Sequence, residues 1–178
     1  MARVLGVDPG SAVTGYALVE VAAQDERPRL VEAGVVRLPR RAPLAQRLVE
    51  LERDLTELID RLEPEQVAVE AIFSHVKRPR SAIVMGHARG VMLLVAARAG
   101  KPLCECAPAA VKRSLTGNGQ ASKATVQRAA QAQLGLAAPP TPHDVADAIA
   151  VALTAVRRRG VDAQRRPPVQ TPLPRLRR

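Results

Sequence analysis

The stretch R-V-L-G-V-D-P-G, residues 3–10, joins a short apolar run to a turn sequence. Valine and leucine in such a run favour an extended strand, and Asp-Pro-Gly favours a sharp turn directly after it. Two further apolar runs follow after short polar links, at residues 13–23 and 30–38. Links this short join antiparallel neighbours, so the chain is predicted to open with a three-strand antiparallel meander.

Helix and strand patterns alternate after this meander. Leucines spaced by three and four residues over 44–62 predict an amphipathic helix. The run Q-V-A-V-E, residues 66–70, predicts a buried strand, which a crossover from that helix would make parallel to its neighbour. Further patterns predict a strand over 102–107 and helices over 81–99, 108–115, 122–134 and 142–158. This order predicts an α/β fold with a mixed sheet, the meander followed by parallel strands, flanked by helices.

Length, composition and charge define the domain and its partners. The chain has 178 residues, 47% of them hydrophobic, which is enough for one compact domain, predicted over residues 1–158. Residues 159–178 are rich in arginine and proline and are predicted to form a disordered basic tail, either a grip on an acidic polymer or a solubilising extension. The net charge of +10 indicates an acidic polymer, such as nucleic acid, as the partner.

Two observations bear on the cellular compartment. No uninterrupted apolar run approaches the roughly 18 to 20 residues of a membrane span, and the first residues lack the pattern of a secretory leader. We therefore expect a cytoplasmic protein with no membrane partner. Cys104 and Cys106 lie two apart on a predicted strand, which favours packing in that strand over zinc binding or a disulfide bridge.

Four carboxylates form a candidate metal site. Asp144 and Asp147 are three residues apart on an otherwise apolar helix, so both point off one face. Asp8 and Glu70 end the first and fourth predicted strands, and they would share one sheet edge if those strands are neighbours. Oxygen donors of this kind suit Mg²⁺ or Mn²⁺. Two such ions about 4 Å apart activate water for phosphodiester hydrolysis.

Each acid also has a simpler interpretation. Asp8 in Asp-Pro-Gly is a good turn residue, and Glu70 is compatible with a surface charge at a strand end. Asp144 fits a capping box with Thr141 as its cap and favours the helix dipole. Asp147 lies beyond the first turn among apolar residues, where neither explanation applies.

Six motifs, in order from residue 4 to about residue 155, resemble the RuvC family of crossover junction endodeoxyribonucleases. They are L-G-V-D-P-G-S-A-V-T-G-Y-A, V-A-V-E, G-H-A-R-G, A-V-K, G-N-G-Q-A-S-K and D-V-A-D-A-I-A. The resemblance implies a ribonuclease H-like fold, a homodimer, and Mg²⁺ or Mn²⁺ as cofactor. It also implies paired symmetric nicks in Holliday junctions during homologous recombination and DNA repair, in cooperation with the RuvA and RuvB branch-migration proteins.

The resemblance also implies roles for individual residues. The four acidic ligands of the family fall on Asp8, Glu70, Asp144 and Asp147, and its conserved lysines fall on Lys112 and Lys123. Lys123 would hold the scissile phosphate or the developing charge, although such a lysine is otherwise an ordinary exposed residue in a first helical turn.

Several further residues are candidates for DNA contacts. The position of Phe73 implies stacking on an unpaired base at the junction centre, although a lone phenylalanine is more often a core residue. Phosphate contacts, or else a solvated loop, are expected of Lys77, Arg78 and Arg80. His143 lies beside Asp144 and is a possible contact to metal or water. Family members often have glutamine after the catalytic glutamate, whereas this chain has Ala71.

Two other functions compete with junction cleavage. Sugar kinases and actin-like ATPases open with a similar D-x-G turn, but they need a second lobe, for which this chain is too short, and no phosphate-binding G-x-x-x-x-G-K-[ST] motif is present. A non-catalytic junction-binding protein would use the acids only as caps. The predicted helix over 81–99 could face either a partner subunit or DNA.

Overall fold

The computed structural model describes residues 2–10, 12–22, 27–71 and 79–165. The strands are β1 (Ala2–Asp8), β2 (Val13–Val21), β3 (Arg29–Arg37), β4 (Gln66–Glu70) and β5 (Leu103–Cys106). The helices are α1 (Leu44–Leu62), α2 (Pro79–Arg98), α3 (Pro108–Thr116), α4 (Lys123–Leu134) and α5 (His143–Arg165).

The five strands form one mixed sheet in the order β3-β2-β1-β4-β5. The first three strands pair antiparallel, and β4 and β5 add to β1 as parallel strands. This arrangement confirms the predicted meander followed by parallel strands. Because β1 lies between β2 and β4, the first strand of the chain is the centre of the sheet.

Alternation along the strands divides the core into two layers. On one face, Leu5 and Val7 of β1 pack with the buried leucines of α1 and with residues of α2. On the other face, Val4 of β1 and Ala68 of β4 pack with the alanine-rich helix α5. The period of two in strands produces this separation, since alternate side chains point to opposite faces.

Helix α5 lies unusually close to the sheet. Gly6 of β1 faces it, and a Cβ atom built there would lie 2.3 Å from the Ala148 carbonyl oxygen. A gap this small tolerates only glycine on the strand. The helix therefore rests with its backbone against β1, and its amino-terminal end lies over the edge of the sheet where β1 ends.

Several element boundaries differ from the sequence-based prediction. Helix α2 begins at Pro79 instead of residue 81, and α5 continues to Arg165 instead of ending near residue 158. Residues 159–165 therefore belong to a helix, and only the later part of the predicted tail stays a prediction. The extension has local support, because Arg158 donates to the Glu105 carbonyl oxygen at 2.9 Å and Arg159 pairs with Glu65 at 2.7 Å.

Helix α2 contains a long apolar segment, and some of its large apolar side chains are exposed. Within the described residues, the segment Ser81–Arg98 is long and apolar enough to cross a membrane by length and composition alone. The prediction that no segment reaches this length missed it because His87 and Arg89 interrupt the apolar run. Arg89 forms an ion pair with Glu105 of β5, and the helix packs against α1, so it is part of the folded domain.

Candidate active site

Asp8 and Glu70 lie at the ends of two adjacent parallel strands. The register pairs Val7 of β1 with Val69 of β4, so the next residue of each strand is one of the two acids. Both acids share the sheet face of Val4 and Ala68, which is the face that α5 covers. Strands β1 and β4 are therefore neighbours, as expected, and Asp8 and Glu70 share one edge of the sheet.

Helix α5 adds the other two acids to the same edge. Asp144 lies in its first turn and Asp147 follows one turn later. The helix begins at His143, one residue after the predicted start, and the amides of Val145 and Ala146 donate to the Pro142 carbonyl oxygen. Asp144 therefore keeps its favourable place in the field of the helix dipole while lying at the edge of the sheet.

The electrostatics of Asp8 show that the four carboxylates share one site. Burial is the largest cause that raises the pKa of Asp8 to about 8, and the negative charges of Glu70, Asp147 and Asp144 contribute to this rise, whereas Lys123 opposes it. Burial and the charge of Asp147 likewise raise the pKa of Glu70 to about 7. An ionised carboxylate in this cluster needs a nearby cation.

Lys123 supplies one such cation. Its Nζ donates to Asp147 Oδ2 at 2.9 Å, and this bond raises the pKa of the lysine. Lys123 is the first residue of α4, whose start is fixed by Ser122, since the Ser122 hydroxyl oxygen accepts from the Thr125 amide at 3.2 Å. The capped helix end thus places an ammonium group against the acidic cluster.

A cavity of about 230 Å³ opens beside these groups. Its charged lining consists of Glu70, Asp147, Lys112 and Lys123, and apolar side chains of α3 and α4 complete the walls. Two acids and two lysines facing one cleft suit a phosphate diester, because the lysines attract its oxygens while the acids hold metal ions. Lys112 thus lines the same cavity as Glu70 and Asp147.

The donor set fits a hard divalent cation. All four candidate ligands are carboxylates, which Mg²⁺ and Mn²⁺ prefer. Within the described ranges no three carboxyl, imidazole or thiol groups are close enough to form a preassembled metal centre. The raised pKa values of Asp8 and Glu70 nevertheless show that this edge of the sheet favours a positive ion.

The remaining predicted residues are placed as follows. Phe73, Lys77 and Arg78 lie outside the described residues, and Arg80 lies in the first turn of α2. His143 is the exposed first residue of α5. Cys104 and Cys106 form no disulfide; their sulfur atoms lie 3.8 Å apart in a weak hydrogen bond, and Cys106 is buried in the core.

One contact at the site escaped the sequence analysis. Gly15 of β2 lies opposite Asp8 in the antiparallel pair and touches the backbone of Asp144. A glycine in the interior of a predicted strand was the available signal, because such a glycine often marks a close approach of another backbone.

Comparison with known proteins agrees with this geometry. The family model "Crossover junction endodeoxyribonuclease RuvC" matches residues 4–155. A curated protein of that name from Rhodopirellula baltica is 46% identical over 152 residues, covering 84% of this chain and 83% of the relative.

Two solved structures share the fold along nearly the whole chain. The Thermus thermophilus RuvC structure is 34% identical with a TM-score of 0.80, covering 89% of this chain and 96% of that one. The structure of T. thermophilus RuvC in complex with a Holliday junction substrate has the same identity and a TM-score of 0.82, covering 90% and 97%. The matched region includes all four acids and both lysines of the cleft. This chain belongs to the RuvC family of crossover junction endodeoxyribonucleases.

Proposed function

We propose that this protein resolves Holliday junctions by paired symmetric nicks that depend on Mg²⁺ or Mn²⁺, in homologous recombination and DNA repair. The observation that supports this proposal best is the gathering of four carboxylates and two lysines at one edge of the sheet. Family membership adds the nuclease chemistry, and the junction complex of the T. thermophilus relative adds the four-way substrate.

The acidic cluster is the proposed metal site. Asp8, Glu70, Asp144 and Asp147 would hold the cation or, with two ions, the cation pair. A divalent ion supplies an activated water and stabilises the negative charge that develops on the phosphate and the leaving oxygen. The chain contributes the position of the ligands, which lie on two strands and one packed helix.

Lys123 and Lys112 are the proposed phosphate contacts. Both line the cleft, and Lys123 is 70% exposed at its side chain, so its ammonium group is accessible to a DNA oxygen. In the free protein Asp147 accepts a bond from this ammonium group. A bound phosphate offers Lys123 a second anionic partner and orients the scissile bond toward the acids.

The segment between β4 and α2 is the proposed junction contact. It leaves the sheet directly after Glu70 and Ala71 and rejoins the described chain at Pro79. Its attachment beside a catalytic acid supports the proposal that Phe73 stacks on an unpaired base and that Lys77, Arg78 and Arg80 bind phosphates.

We also propose that two copies associate through α2, because paired nicks require two active sites. Ile83 is 60% exposed and Leu94 is 47% exposed on this helix. Gly86 and Gly90 leave open space above the helix backbone, which allows a second helix to approach closely.

RuvA and RuvB are the proposed protein partners, and the bacterial cytoplasm, at the nucleoid, is the proposed location.

A four-way junction with each strand labelled in turn tests the proposed activity. We expect symmetric nicks with Mg²⁺ or Mn²⁺, no nicks with EDTA, and weak activity on linear duplex and fork controls. Asp8→Asn should bind the junction and leave it uncut. Junction binding with no metal-dependent nicks would support the non-catalytic alternative, and saturable ATP hydrolysis without DNA would support the phosphotransferase alternative.

A further inference from the structure

Gly15 is the point where α5 meets the sheet beside the acidic cluster. A Cβ atom built at Gly15 would lie 2.0 Å from the carbonyl oxygen of Asp144 and 3.2 Å from its Cα atom. Ordinary contact begins at 3.4 Å. The hydrogen of glycine is therefore the only side chain that this spacing accommodates.

The strand register links this contact to a second acid. Gly15 pairs with Asp8 on β1, and paired residues in an antiparallel ladder point to the same face of the sheet. Gly15 thus touches the backbone of one candidate ligand and is the cross-strand neighbour of another. Because Gly15 has no side chain, the backbone of Asp144 can pack against β2 at the position paired with Asp8.

We propose that Gly15 is a positioning residue, which sets the distance between Asp8 and the acids of α5 that divalent metal binding requires. This inference rests on the proposed metal-dependent function. It assigns to Gly15 no contact with metal or DNA, since it acts through the backbone position of Asp144.

The sheet is the fixed partner in this contact. Gly15 is paired on both sides, with Asp8 on β1 and with Val35 on β3, so β2 has no free edge along which it can yield. The first turn of α5 lies at the end of the helix and follows a connection without regular structure. An added methyl group at Gly15 therefore displaces this turn, and Asp144 with it. The distance from the new Cβ atom to the Asp144 carbonyl oxygen must grow from 2.0 Å to at least 3.4 Å.

A displacement of this size exceeds what metal coordination accepts. Bond lengths in metal sites hold to within about 0.2 Å, and Mg²⁺ requires oxygens at about 2.1 Å. Lengthening the side chain at the displaced position offers a specific rescue, since a glutamate reaches farther than an aspartate by one carbon–carbon bond of about 1.5 Å.

The first experiment measures the affinity for Mn²⁺ alone by calorimetry, together with junction binding in EDTA. We expect Gly15→Ala to lower the Mn²⁺ affinity about tenfold or more, while junction binding changes by less than about threefold. The matched control is Ala155→Val, which overpacks the same buried layer at a position about 16 Å from Asp144 along α5. It should lower the melting temperature and leave the Mn²⁺ affinity unchanged.

The second experiment is a double-mutant cycle with Asp144→Glu. We expect Asp144→Glu to weaken Mn²⁺ binding in the wild-type background and to strengthen it in the Gly15→Ala background. If Gly15→Ala does not fold, the single variant Asp144→Glu still tests the idea, because a tightly set spacing cannot accommodate the longer side chain. Wild-type Mn²⁺ affinity in either single variant, or no rescue in the cycle, overturns the proposal. A wild-type protein that binds Mn²⁺ but does not nick junctions contradicts the proposed function instead.

Discussion

Replacing Asp8 by asparagine should stabilise the metal-free protein at pH 8 although it abolishes cleavage. Asparagine has the shape of aspartate without its charge, and it removes one anion from a cluster in which Glu70, Asp144 and Asp147 all disfavour ionisation of Asp8. The change thus separates two roles of this carboxylate. It is a proposed metal ligand, and it repels the other three acids when no metal is bound.

The size of the effect follows from the pKa of Asp8. One pKa unit corresponds to about 1.4 kcal/mol, so a rise from 3.8 to about 8 sets an upper limit of about 6 kcal/mol for the cost of ionisation. Asp8 is only partly buried, and solvent screening lowers this limit. We expect a gain of about 2 kcal/mol at pH 8, or about 4 to 8 °C in melting temperature.

The pH dependence gives the sign of the effect. Because the pKa of Asp8 in the folded chain lies above its unfolded value, the folded state binds more protons between pH 4 and 8, and this contribution to stability declines as the pH rises. The difference in melting temperature between Asp8→Asn and wild type should therefore be near zero at pH 4 and largest at pH 8.

Thermal unfolding of both proteins in EDTA, repeated with saturating Mg²⁺, measures this difference. Mg²⁺ should stabilise the wild type much more than Asp8→Asn, because only the wild type retains all four anionic ligands. A difference that does not change with pH, or a variant less stable than wild type at pH 8 in EDTA, would refute the inferred repulsion. Junction binding by the variant serves as the control for folding.

Three further changes test other parts of the structure. Lys123→Ala should lower the nicking rate about 100-fold in single-turnover assays, since it removes the ammonium group beside Asp147, while junction affinity falls much less. Leu94→Glu on the exposed face of α2 should convert a dimer into a monomer in light scattering, whereas Val49→Glu, at an exposed position of α1, should not. Ile149→Val in the buried face of α5 should lower the free energy of unfolding by about 1 kcal/mol in urea titration and leave nicking intact.

Local patterns predicted most of the elements of this protein. The short apolar run and the Asp-Pro-Gly turn identified β1, and the leucine spacing identified α1, because both signals arise within a few residues of chain. The same holds for Asp147, which lies beyond the first turn of α5 and has no local structural explanation. Such a residue indicates a requirement from elsewhere in the fold.

Contacts between distant parts of the chain decided the rest. The apolar face of α2 and the continuation of α5 to Arg165 depend on which partner each helix meets, and no local pattern encodes that.

The sequence by itself determined which residues are the candidates for the chemistry, because carboxylates on apolar elements are costly without a cation. Only the tertiary structure decided their spacing. The parallel pairing of β1 with β4 puts Asp8 beside Glu70, and the missing side chain of Gly15 leaves room for the backbone of Asp144, which lies about 130 residues later in the chain. Such an approach depends on how closely two backbones pack, which is a property of the folded layers and not of any short stretch of sequence.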